Sequence, residues 1–589
     1  MSPGRRFVLL GGAALLVGCG LRIAIGLTDD APATDETAYL QSGRSLVAGD
    51  GFTRGDRPEL HFPPFVPFVL GSAGRLVDDP HTATVAMTVA CGTLLLVPLA
   101  LLGRRVAGPD AGIATAWVAA LAPGLATTPA ARGAGSEAEY ALLVVTAVWL
   151  VAGAADRTGV RRALMAGAAG LLTGLAYLTR PEGLFVAVPL GAALVLAVVA
   201  RDGRPAGDTR LRLGDAGQVD VGAARRSLPG GGGGGSIGGD TVPRTADATT
   251  VLRLRAAAGV ALAFGLPLLV CVAPYARFLH EHTGTWELTA KTQDASIEAW
   301  HAVARDDRRA RDAVLYELDD SGFRFAPRSS PLPALAREDP AGYLGIVATN
   351  VGSLARNVGG WWLLPLPVWI VAGLGAWRLR RSGTLRLALV VGALPVATAL
   401  AFFVQPRYLV VTVALATVPA GAAVSTWTTR YRRPLVVTGA VLLAAASVLA
   451  FYGAGGWWHP NDHTDQRRAG EWISAHTDGG DRVMTRSLIV GYYADRPTLA
   501  IPYAELDRIL AFGRHYGARY LVVDAYTVDE LRPQLASLAS DDRPAGLELV
   551  HEVTAEGRTT RIFALVPPPA GSATGEPAPS LGFMGDGLG

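Results

Sequence analysis

Cysteine is nearly absent: the 589 residues contain three, Cys19, Cys91 and Cys271, each inside an apolar run. The water-exposed parts therefore hold no pair that could form a disulfide and no metal-thiolate set. Lysine is scarcer still, since Lys291 is the one basic residue of 53 that is not arginine. Read from the sequence alone, this is compositional bias and not phosphate chemistry. Charge of either sign is thin as well, at 17% against 50% hydrophobic residues, which would leave a soluble globule too little polar surface. The net charge of +3 is too small and too evenly spread to call for nucleic acid.

What is present instead is a series of apolar runs, at 7–27, 82–103, 110–128, 138–155, 162–179, 182–200, 254–277, 361–377, 385–404, 408–426 and 434–453. Each is long enough, or nearly so, to cross a bilayer as a helix that satisfies its own backbone. The fold class expected is a polytopic α-helical membrane protein with about eleven transmembrane helices. Arg5 and Arg6, Arg104 and Arg105, Arg161 and Arg162, the 201–255 loop, Arg378 to Arg381, and Arg430 to Arg433 fall at every second connection. Basic clusters of that kind belong on the cytoplasmic side, which places the N-terminus inside the plasma membrane. Segments 28–81, 129–137, the turn near 180, 278–360, 405–407 and everything after about 454 then lie outside. Arg5-Arg6 before an apolar run also resembles an export signal, and Leu16-Val17-Gly18-Cys19 a lipoprotein cleavage box. The run continues to Leu27, however, and losing it would break the alternation.

Residues 1–453 thus read as a multi-spanning domain, with a first outer loop at 28–81, a flexible cytoplasmic loop at 201–252 and a long outer loop at 278–360. Over 454–567 the pattern changes to short alternating units, predicting a small extracytoplasmic α/β domain. Its expected elements are a helix through Trp472 and Ile473, strands near 482–484 and 499–501, a helix over 503–516, a strand at 520–524, a helix near 528–538, and strands at 547–553 and 560–565. The Pro-, Gly- and Ser-rich stretch 568–589 reads as a disordered tail.

The first outer loop carries Thr34-Asp35-Glu36-Thr37-Ala38-Tyr39, an amphipathic stretch to Ala48, Gly49-Asp50-Gly51-Phe52, and then His61-Phe62-Pro63-Pro64. Adjacent carboxylates just after a span sit at the membrane surface, where desolvation raises a carboxyl pKa and makes it a base toward a hydroxyl. The plainer reading is a helix cap by Thr34 or Asp35. Ser136-Glu137 opens another span, Thr179-Arg180-Pro181-Glu182 forms a turn between two, and Pro406-Arg407-Tyr408 opens a late one. Outward arginine runs against the basic-inside pattern, so Arg180 and Arg407 call for a phosphate, interfacial snorkelling, or a structural pair such as Arg180 with Glu182.

Taken in order, these motifs resemble the membrane-embedded glycosyltransferases of the GT-C fold, in particular their protein-mannosyltransferase and aminoarabinose-transferase-like branch. Asp35, Glu36, Tyr39, Gly49, Pro63 and Pro64 fall on that family's outer acidic pair, juxtamembrane helix, Gly turn and Pro-Pro segment. The resemblance implies inverting transfer of a sugar from a polyprenyl-phosphate-linked donor to a glycan, lipid or protein acceptor at the outer face. It makes Asp35 the general base with Glu36 beside it, and Glu137 the residue orienting acceptor or base. Arg180, Arg407, Tyr408 and His61 would meet the donor phosphate, and Tyr39 would line the acceptor or sugar pocket. No cofactor is implied and a divalent ion stays open, although His280 with His282, and His459 with Asp462 and His463, are loosely spaced for one. In one respect the chain departs from the family: a Lys or Arg often stands immediately before the Pro-Pro pair, where this chain has Phe62, with His61 one residue earlier, and Arg54, Arg57 and His61 are all open as its replacement. The competing class is a multi-spanning transporter or lipid-moving protein, which would put ionisable groups or broken helices near the bilayer midplane.

Overall fold

The structure, a computed structural model, describes residues 2–27, 32, 34–126 apart from 56 and 78, 135–201, 246–325 apart from 304, 320 and 321, 332–428 apart from 361 and 362, 439, 442, 443, 445, 463–539 and 544–566. Helix α1 (Pro3–Gly26) is followed by α2 (Thr34–Ala48), a hairpin of β1 (Thr53–Arg54) and β2 (Arg57–Pro58), and α3 (Phe65–Ala73). Next come α4 (Pro80–Leu94) and α5 (Leu96–Ala107), which together make one rod of spanning length. The rod is interrupted at Leu95, because Pro98 has no N–H for the carbonyl of Leu94. Helix α6 (Pro109–Leu121), the single turn α7 (Pro123–Ala126), α8 (Glu137–Ala155), α9 (Gly159–Thr179), α10 (Gly183–Arg201) and α11 (Ala246–Thr283) follow.

The segment after α11 is built from α12 (Lys291–Ile297), a π-turn over Glu298–Val303, α13 (Arg308–Leu315), a hairpin of β3 (Tyr316–Asp319) and β4 (Gly322–Phe325), α14 (Leu332–Glu338) and α15 (Pro340–Gly359). Helices α16 (Leu366–Arg378), α17 (Gly383–Ala401) and α18 (Val410–Thr428) return to the bundle, the last led in by a 3-10 turn at Pro406–Leu409. Among the described residues seven helical segments are long and apolar enough to cross a membrane. Three more of the expected spans are helices too: α6 and α16 with 13 residues each, and α9 with 21. The run at 434–453 lies almost wholly outside the described residues, as do most of the 201–252 loop and the tail.

Small residues set the close crossings, as packing in lipid favours. Thr115 is approached by both Gly103 and Gly421, and a Cβ on Gly43 or Gly71 would run into the backbone of the facing helix, at Pro67 O and Gly43 O respectively. Around these contacts Leu95, Leu99, Val144, Val148, Ala414 and Val418 form part of one buried apolar core. Arg22 has no exposed surface and donates to the carbonyls of Gly18 at 2.9 Å and Leu125 at 2.8 Å.

The C-terminal region is an α/β unit: α19 (Thr464–His476), β5 (Arg482–Thr485), α20 (Leu488–Ala494), β6 (Thr498–Leu499), α21 (Leu506–His515), β7 (Ala518–Asp524), β8 (Leu547–Ala555) and β9 (Arg558–Leu565). The sheet order is β6-β5-β7-β9-β8, parallel between β5 and its two neighbours and antiparallel beyond β7. Two details differ from the sequence expectation. The helix near 528–538 is a π-turn at Thr527–Leu531 and a 3-10 turn at Pro533–Leu538, divided where Pro533 lacks the N–H to continue a helix. Helix α20 was not foreseen, its seven residues being too few to show a period.

Candidate active site

Four helix termini come together: the first turn of α2, the start of α8, the end of α9 and the 3-10 turn before α18. They border a cavity of about 500 Å³. Asp35, Glu137, Arg180, Arg407, Tyr408 and His61 all line it. Arg407 Nη1 donates to Asp35 Oδ2 at 2.9 Å, and its Nε donates to Gln405 Oε1 at 2.9 Å and lies 4.0 Å from Glu137. Arg180 Nη1 donates to Glu137 Oε1 at 2.7 Å and to Ser136 Oγ at 3.2 Å, with Glu182 3.7 Å from its Nε. Both guanidinium groups lie over the ring of Tyr408, at 4.9 Å for Arg180 and 5.3 Å for Arg407.

The acidic pair is divided. Consecutive helical residues point about 100° apart, so Asp35 reaches the cavity while Glu36 turns into the protein. Glu36 is fully buried, with His81 Nδ1 at 2.8 Å from its Oε1. Tyr39 is buried as well, edge-on to Phe62 at 4.7 Å, with its hydroxyl 3.4 Å from Ser136 Oγ. Neither Glu36 nor Tyr39 lines the cavity.

Charge at the site differs from the expectation for a surface carboxylate pair. Burial works against ionisation of Asp35, but the Arg407, Lys291 and Arg180 charges and the hydrogen bond from Arg407 outweigh it and hold the carboxyl below its usual range. About a third of each side chain in this pair stays exposed. His61 moves the other way from a cation: burial, then the charges of Lys291 and Arg54, push its pKa well below the usual imidazole value. It is therefore neutral at pH 7 and can meet an anion only as a hydrogen-bond donor. The backbone N–H groups of His61 and Phe62 both donate to Glu59 Oε1, at 2.8 and 3.0 Å, which fixes this turn.

Sequence reasoning passed over Lys291. Its ammonium lies in the cavity wall, 4.3 Å from the centre of the Phe62 ring. It comes from α12, as does Asp294, and Glu298 of the following π-turn and Arg311 of α13 also line the cavity. Burial pushes Asp294 up to about 6. The one available signal was the solitary lysine in an arginine-only chain, which composition alone assigned to bias. Much of the remaining lining is apolar, formed by Leu184 and Phe185 of α10, Leu394, Pro395 and Ala399 of α17, Phe402 and Phe403 after it, and Val410 and Val411 of α18. Such a cavity suits an anion attached to an apolar chain. Among the described residues no group of three or more His, Cys, Asp or Glu side chains is placed to hold a metal ion.

No protein-family model matches the chain, and no curated protein matches it. Solved structures do. The oligosaccharyltransferase of Archaeoglobus fulgidus in complex with Zn and sulfate superposes with a TM-score of 0.52 at 14% identity, over 88% of this chain and 68% of its own. The same organism's oligosaccharyltransferase AglB, in complex with an inhibitory peptide and a dolichol-phosphate, gives 0.51 at 15% identity, over 88% and 69%. ArnT from Cupriavidus metallidurans bound to undecaprenyl phosphate overlays 96% of this chain and 98% of its own at 13% identity, with a TM-score of 0.41. The likeness to the archaeal enzyme is one of fold, and that fold is GT-C.

Proposed function

We propose that this GT-C chain is a membrane glycosyltransferase that moves a sugar from a polyprenyl-phosphate donor to an acceptor hydroxyl at the outer face of the membrane. The observation that supports it most is the mixed lining of one cavity, which brings Asp35, Glu137, Arg180, Arg407 and Lys291 together with apolar side chains of α10, α17 and α18. The donor's phosphate suits the charged groups and the first isoprene units the apolar ones. The AglB structure was solved with a dolichol-phosphate, a ligand of the same chemical class. In the reaction Asp35 takes the proton of the acceptor hydroxyl as its oxygen attacks the anomeric carbon, and the bond from that carbon to the phosphate oxygen breaks with inversion. The electron pair leaves on the lipid phosphate, where Arg407, Arg180 and Lys291 meet the growing charge. Glu137 keeps Arg180 in place. His61, being neutral, donates a hydrogen bond to donor or acceptor.

Transfer from a labelled polyprenyl-phosphate sugar in membranes tests the reading. Asp35→Asn should lower kcat by about 100-fold or more, as expected for loss of a general base. Unchanged transfer at equal expression would remove Asp35 from that role, and no transfer by the unaltered chain with any lipid-linked donor would favour a lipid-moving protein.

A further inference from the structure

Segment 291–325 belongs to two structures at once. One side of it is cavity wall, through Lys291, Asp294 and Glu298, with Arg311 paired to Glu298 at 3.0 Å. The next residue, Asp312, faces the sheet domain and is fully buried. Its two oxygens are shared between two arginines of that domain: Oδ1 accepts from Arg486 Nε at 2.9 Å and Oδ2 from Arg532 Nε at 2.7 Å. Arg532, also fully buried, donates through Nη1 to the carbonyls of Ile501 at 2.8 Å and Pro502 at 3.0 Å. The hairpin of β3 and β4 completes the join. Tyr316 O accepts from Tyr503 N at 2.7 Å, and Leu318 and Phe323 enter the same apolar core as Ile501 and Phe512.

The same domain also grips the wall that carries Asp35. Helix α2, whose first turn carries Asp35, rests on α20: Leu488 and Tyr492 pack against the cluster of Tyr39 and Leu40. Arg44, at the far end of α2, pairs with Asp495 at 2.9 Å. Two walls that are distant in sequence are thus tied to one rigid sheet.

We infer that the sheet domain is a spacer that fixes the separation between the Asp35 wall and the Lys291 wall, with Asp312 as the positioning residue on the Lys291 side. What the spacing serves rests on the glycosyl-transfer reading; the coupling does not. Asp312 keeps the fully buried Arg532 and the largely buried Arg486 compensated, and without its charge the two guanidinium groups repel each other and release the segment.

Hydrogen exchange on the full chain in lipid nanodiscs tests the coupling without reference to activity. Asp312→Asn should speed exchange across 291–303 by about tenfold or more, while β5, β7 and β9 keep their protection. In transfer assays Lys291→Ala should lose most of its effect in the Asp312→Asn background, because the wall is already displaced. A merely stabilising Asp312 would leave Lys291→Ala its full cost. Unchanged exchange at 291–303 in a folded Asp312→Asn chain, or additive effects of the two variants, overturns the inference. Should the unaltered chain show no transfer, the glycosyl-transfer reading fails and the exchange result judges the coupling by itself. If Asp312→Asn does not fold, Arg44→Asp supplies the test on the exposed side. It should speed exchange in α2 roughly two- to fivefold, and adding Asp495→Arg should restore protection. No change in either variant again overturns the inference.

Discussion

At Asp35 two anions compete for one guanidinium. The carboxylate holds Arg407 at 2.9 Å, and a carboxyl kept this acidic is a weak base. In the proposed reaction the donor phosphate takes over Arg407, and Asp35 loses the partner that depressed its pKa. Donor binding then makes the base stronger at the moment it is needed. Lys291 gives a second prediction. Burial lowers its pKa from the usual lysine value, so its ammonium is lost earlier as pH rises. Donor affinity should therefore weaken across the alkaline range, Lys291→Arg should abolish that slope, and Lys291→Ala should raise the donor KM about 10- to 100-fold. Asp294, pushed up to about 6, is protonated below that pH and charged above it. A transition near pH 6 in the kcat/KM profile should disappear in Asp294→Asn.

The motifs at the ends of spans were legible as residues because a polar group adjoining an apolar run needs a reason. Asp35, Glu137, Arg180 and Arg407 were marked this way, Tyr408 and His61 through the family resemblance, and the structure brings all six to one cavity. Which of Asp35 and Glu36 would face it was not legible, since that depends on the roll of α2 against its neighbours. Lys291 was invisible for a related reason. Its place is set by a segment whose position depends on the contacts of Asp312 with residues 174 and 220 positions later, Arg486 and Arg532.

Among the elements, the crossing of α2 and α3 controls the roll of α2. Gly43 and Gly71 let the two backbones touch, so Gly43→Ala should push the helices apart, cost about 1–3 kcal/mol, and lower the midpoint of thermal unfolding in detergent. Transfer should fall by more than the stability loss explains, because α2 carries Asp35. The spans themselves were read from length and apolarity alone, and even the two 13-residue helices α6 and α16 were found. The break between α4 and α5 was not read, although Pro98 was there to signal it.

For the molecule as a whole, the proposal requires the cavity and the sheet domain to lie on one side of the membrane and the arginine clusters on the other. Gly479 and Arg381 are both exposed. Gly479→Cys should react with a membrane-impermeant maleimide in intact cells, and Arg381→Cys only after permeabilisation. The opposite labelling would reverse the orientation. Legibility was lowest at this scale: a separate α/β unit was evident from its strand pattern, but its grip on α2 and on α13 was not.

The buried arginine of the first helix also says something about manufacture. Arg22 is costly in lipid, and the carbonyl of Leu125 that accepts from it is synthesised 103 residues later. Until then α1 carries a charge without its lasting partner. The ribosome must therefore deliver α6 and α7 before the contact that holds Arg22 can form.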